Sequence, residues 1–184
     1  MAPCCHGPPG STGFAGYAIG DPTDRGPPGI RDNRDMGMTE GHAREFSLPF
    51  LNGSILQAGS DTGGRFALLE MRLMPGRGPD PHVHFAEEEY FYVLEGDYHF
   101  TNGEQTIDAG PGRLIKVERG VPHGMVAGET GGRHLTIFVP AGPEGWFVEA
   151  NELARSGELD QDMVRTLFER YGMSQVDPTS TGML

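Results

Sequence analysis

The chain reads as an all-β barrel or sandwich followed by two short helices, and three observations carry that reading. Short apolar and aromatic runs recur about every eight to twelve residues between turn signals over residues 46–140. Twenty-nine glycines and fifteen prolines in 184 residues supply many tight turns. Beyond Pro140 the spacing of apolar residues lengthens from the period of a strand to that of a helix.

Residues 1–40 cluster glycine and proline (GPPG, DRGPPG) with few large apolar side chains. Such a segment buries too little surface to offset the entropy of ordering, so a flexible leader is expected. Ser47 to Ala58 reads as one or two strands, Asp61 to Gly64 as a turn, and Arg65 to Met74 as the next strand. Pro75 to Pro81 is a turning loop. Tyr90 to Glu95 and Asp97 to Thr101 flank Gly96, and Asn102-Gly103 signals a hairpin. Gln105 to Asp108, Arg113 to Val117, His123 to Ala127 and His134 to Val139 complete the strands.

Trp146, Phe147, Ala150, Leu153 and Ala154 then recur at helical spacing up to Gly157, as do Met163, Val164, Leu167, Phe168 and Tyr171 up to Gly172. Residues 141–184 are thus expected to be a helical extension packed on the barrel exterior, its aromatics serving as packing and its last dozen residues frayed.

The formal charge of −12, from 26 acidic and 14 basic residues, disfavours nucleic acid and anionic membranes, since no basic patch is available to displace counterions. The expected partner is a small molecule or a second copy of the chain. Cys4 and Cys5, adjacent in the leader, cannot staple the body of the fold. Neither a secretory signal nor a run of membrane-spanning length is legible, so a cytoplasmic protein is expected.

The chemistry concentrates in GRGPDPHVHFAEEEYFYVLEG, Gly76 to Gly96. In extended chain His82 and His84 point to one face, because side chains alternate with a period of two. A carboxylate from the next strand would complete a mixed nitrogen and oxygen set suited to a first-row transition metal. Parity alone leaves two registers: Glu89 shares a face with Phe91 and Val93, and Glu88 with Tyr90, Tyr92 and Leu94.

Gly76, His82, His84, Glu89 and Gly96 resemble the first motif of the cupin superfamily, and that resemblance assigns Glu89, which lies seven residues before Gly96. A second motif follows in altered form as Gly112, Glu118, Gly120 and His123, with glutamate where the family usually has proline and Ala127 where it has asparagine. Neither departure is at a ligand position. The resemblance implies a double-stranded β-helix, a jelly-roll barrel, holding one divalent transition metal (iron, manganese, nickel, cobalt or zinc) on His82, His84, Glu89 and His123.

Gly63-Gly64, PDPHVH, EEEYFYVLEG, AGPG, GVPHG, FVPAGPEGWF and ERYG, over residues 48–173, are similar to single-domain quercetin 2,3-dioxygenase-like cupins. That likeness implies a flavonol-like substrate, dioxygen as co-substrate, Glu89 as both ligand and general base, and a homodimer. Inward alternation nominates Phe91, Val93, Arg113, Ile115, Val117 and Met125 for the substrate pocket. Glu87 and Glu88 read as a solvated turn, Tyr90, Tyr92 and Tyr98 as facing away from Glu89, and His99 and His134 as structural strand histidines.

Overall fold

The computed structural model describes residues 41–102 and 105–176, in which nine strands join into one sheet that curls over on itself. The leader at 1–40, Gly103 of the hairpin signal and residues 177–184 lie outside the described residues. The strands are β1 (Arg44–Leu48), β2 (Leu51–Gln57), β3 (Ala67–Leu73), β4 (His82–His84), β5 (Glu88–Asn102), β6 (Gln105–Ala109), β7 (Leu114–Val117), β8 (His123–Val139) and β9 (Met173–Gln175). Gly59–Thr62 forms a helical turn, α1, where composition indicates a turn; α2 (Glu144–Ser156) and α3 (Gln161–Arg170) follow β8. Gly157 caps α2 in the left-handed conformation, and the Asp160 carboxylate caps α3 by accepting from the Met163 amide.

Two long strands form the spine. β5 has 15 residues and β8 has 17, and each replaces two short strands expected from the sequence. Their antiparallel ladder runs from Glu88↔Val139 to Asn102↔His123, with β3 on the other side of β8 and β7 and β6 on β5.

The spine bends where Gly96 meets Gly132. A Cβ on Gly96 (φ 77°) would stand 2.2 Å from the Gly131 carbonyl oxygen, and one on Gly132 would stand 2.5 Å from the Tyr98 ring. Only glycine permits this approach. Around the crossing the register shifts between Val93 and Glu95 and again between Gly96 and Tyr98. Across this irregular stretch the inward-facing positions change parity once. Glu89, Phe91 and Val93 point inward before the bend, and Tyr98 and Phe100 after it. Tyr98 is therefore a core residue, contrary to uninterrupted alternation.

The interior is filled by alternate residues of β3 (Ala67, Leu69, Met71, Leu73), β7 (Ile115, Val117) and the spine. At one end of the sheet β9 pairs with β4, His82↔Gln175 to His84↔Met173. The chain near Met173 is thus a strand edge where fraying is expected from sequence. None of the helices among the described residues is long and apolar enough to cross a membrane, which does not address strands.

Candidate metal centre

β4 has three residues, all of them buried, and its His82 pairs directly with His123 at the start of β8. Glu89 enters from β5, opposite Val117 and Phe138. One ligand atom from each of His82, His84, Glu89 and His123 lies within 4.8 Å of the others, and all four residues are buried. That spread is comparable with twice an ordinary metal–nitrogen distance of about 2.1 Å.

Nδ1–H of His82 donates to the Asp80 carbonyl (2.9 Å) and Nδ1–H of His123 donates to the Val121 carbonyl (3.0 Å), so each ring offers Nε2 to the shared point. His123 Nε2 is 2.9 Å and His84 Nε2 3.2 Å from Glu89 Oε2.

The electrostatics follow from this crowding. Burial pushes His82 down to about 3, reinforced by the charge of His123. Burial alone would raise the Glu89 carboxyl, but the His84 charge and the hydrogen bonds from His123 and His84 outweigh it and hold it below the usual carboxylate range. Burial likewise opposes charge on His123, and the hydrogen bond to Glu89 overrides it, so that ring is held above its ordinary value. The positive charge Glu89 requires is supplied by a proton on His123 or by a bound cation. Three imidazoles and a carboxylate fit a divalent transition metal.

Beside His82 and His84 lies a small apolar cavity of about 50 Å³. Its walls come from β2 and β3 (Leu51, Met71, Leu73), from Met125 and Phe138 on β8, and from Trp146, Phe147 and Phe168 on the helices. Phe168 sets its edge against His82 at 5.6 Å and 90°. The helices therefore cover the mouth of the site, and their aromatics wall the cavity in addition to packing on the barrel. A groove of about 490 Å³ on the outer side shares Phe50, Pro79, Trp146 and Phe168 with this cavity.

Of the pocket residues expected from alternation, Met125 lines the cavity. Phe91, Val93, Ile115 and Val117 are buried in the core away from the cavity wall. Parity gives a residue's face but not its depth along the barrel. Arg113 is exposed: it precedes β7 in a turn, where its carbonyl accepts from the Val93 amide, so its side chain does not reach the interior.

Glu88 opens β5 instead of lying in a turn, and is half-buried, with Oε1 3.3 Å from Lys116 Nζ and Oε2 accepting from the Tyr90 hydroxyl. Glu87 is buried, with Oε2 3.8 Å from His84 Nδ1, and burial pushes its carboxyl up, opposed by the His84 charge. An acidic run usually marks a solvated face, and the signal that sets Glu87 apart is its position three residues beyond a ligand histidine. His99 is exposed and bonded to Asp108, whereas His134 is wholly buried and shares a 2.8 Å hydrogen bond with the Tyr98 hydroxyl.

Residues 69–138 match the family described as the cupin domain. Among solved structures, KdgF from Halomonas sp. is 17% identical over 56% of this chain and 92% of its own, with a TM-score of 0.50. An RmlC-like cupin from Shewanella frigidimarina NCIMB 400 is 21% identical over 56% of this chain and 89% of its own, also with a TM-score of 0.50. A comparison with curated proteins finds no match. The β-rich body thus has the cupin fold, with a buried His/Glu cluster compatible with a metal site.

Proposed function

We propose that this protein is a metal-dependent dioxygenase acting on a flavonol-like or related aromatic enol. The observation that carries the reading is the convergence of His82, His84, Glu89 and His123 beside a cavity walled almost entirely by apolar and aromatic side chains. A planar aromatic substrate suits those walls, and the enol oxygen is the group that would seek the cation. The cation supplies Lewis acidity and, where redox-active, access to dioxygen.

Glu89 remains ionised through the neutral range, the state from which a base must start, and takes the substrate hydroxyl proton onto its carboxylate. Phe168, Trp146 and Phe138 exclude water around that transfer. The inner cavity holds only a few waters, at about 10–15 Å³ each. The outer groove has the volume of an ordinary ligand pocket, about 300–1,000 Å³. Substrate therefore enters from the groove by displacing the shared wall of Phe50, Pro79, Trp146 and Phe168.

Homodimerisation is part of the same proposal: Tyr92 and Leu114, paired across β5 and β7, leave an exposed apolar strip on the outer face.

The test is elemental analysis of the purified protein followed by an oxygen electrode trace on adding flavonols. One metal per chain with flavonol-dependent uptake is expected. Stoichiometric metal without uptake across a flavonol panel would move the reading to redox-neutral chemistry, as in an isomerase, decarboxylase or cyclase. Failure to bind any divalent ion would leave a binding module.

A further inference from the structure

The three imidazoles of the centre are not held alike. His82 and His123 each give Nδ1–H to a backbone carbonyl two residues upstream. Those bonds select the tautomer and aim Nε2 at the shared point. His84 lacks this support: its Nδ1 has no hydrogen-bond partner among the described residues, although the ring is buried. Facing its Nδ1 at 3.8 Å is Glu87 Oε2, also buried and also without a partner.

Buried polar groups without partners are rare and costly, and here a donor and an acceptor lie opposite each other. The pair stands within about 1 Å of hydrogen-bond distance.

We infer that Glu87 is the positioning residue of His84: its carboxylate accepts Nδ1–H and holds Nε2 toward Glu89 and the metal. A carboxylate behind a ligand imidazole fixes ring orientation and raises its basicity. It also adds a second negative charge to that of Glu89, so a centre holding a divalent ion is formally neutral. The geometry of the turn makes this possible, because Glu87 follows His84 by three residues and folds back beneath it before β5 begins. The inference rests on the metal centre and is independent of whether the reaction is a dioxygenation.

The test compares wild type, Glu87→Gln and Glu87→Leu as full-length proteins. Zinc affinity is measured against a chromophoric chelator, and the histidine ring nitrogens of the zinc-loaded forms are followed by NMR. Glu87→Leu is expected to weaken zinc binding about 10–100-fold. Glu87→Gln, which keeps an acceptor but not the charge, should fall between it and wild type.

The Nδ1 resonance of His84 should move in both variants while those of His82 and His123 stay in place. Melting in the presence of chelator separates positioning from folding, and the loss of zinc affinity in Glu87→Leu should exceed what any change in melting there accounts for. Zinc affinities within twofold of wild type in both variants would overturn the inference. So would weakened binding accompanied by a lower melting temperature in chelator and an unmoved His84 resonance. A wild type that binds no zinc would dismiss the centre itself rather than the role of Glu87 within it.

Discussion

Two sets of buried polar side chains hang from the β5–β8 spine, and each joins residues from both arms of its bend. In one, Glu89 and His123 meet His82 and His84 from β4, four ligand-type groups turned toward one point. In the other, Tyr98 and His134 share a single hydrogen bond of 2.8 Å, beside the Phe91 ring at 5.9 Å from His134. Both sets are as buried as the core around them. In the first, burial is opposed by mutual charge, so Glu89 is held below the usual carboxylate range and His123 above its ordinary value. In the second, burial meets little opposition, and His134 is pushed down to about 4 and stays neutral. Convergence, more than burial, distinguishes a site from a structural pair.

The largest effect should come from removing a member of the convergent set. His123→Ala or His82→Ala is expected to weaken metal binding by more than the about 10–100-fold typical of losing a supporting residue, with loss of activity. Metal content by elemental analysis checks it, and unchanged stoichiometry in His82→Ala would refute the ligand assignment. Glu89→Gln sharpens the contrast between ligand and base: it should retain part of the metal while flavonol-dependent oxygen uptake falls about 10²–10⁴-fold.

The structural pair should respond to pH instead of to metal. His134 has a folded pKa of about 4 against an ordinary 6.5, so the unfolded chain binds more protons between those values. Stability is therefore full above about pH 6.5 and is lost as pH falls toward 4, by about 3 kcal/mol for this group. His134→Gln removes that share, which denaturant melts at several pH values would show as a flatter acid limb. The smallest change is Tyr98→Phe, expected to cost about 1–3 kcal/mol by leaving His134 Nδ1 unpaired. Its metal affinity should stay within twofold of wild type; a larger loss would join the two sets into one network.

Much of the site was legible because its signals are local. His82 and His84 share a face by the period of two, and the spacing from Glu89 to Gly96 and from Gly120 to His123 matches recognisable motifs. Tyr98 was not legible, since the bulges at Gly96 that invert its facing arise from the meeting of two glycines 36 positions apart, Gly96 and Gly132. Arg113 looked inward because its parity matches Ile115 and Val117, yet β7 begins one residue later. The pairing of β9 with β4 depends on the return of the chain after α3, and a three-residue strand carries too little pattern to announce itself.

From sequence alone came the all-β class and the two closing helices, because periodicity and turn chemistry act over a few neighbouring residues, and the four residues that converge came from the likeness of two motifs to a known family. The tertiary structure decided the rest. It buried Glu87 behind His84, laid Trp146 and Phe168 across the cavity and turned Tyr98 into the core. Those outcomes depend on where β5 and β8 bend against each other and on which end of the curled sheet the helices cover, distances that no local pattern encodes.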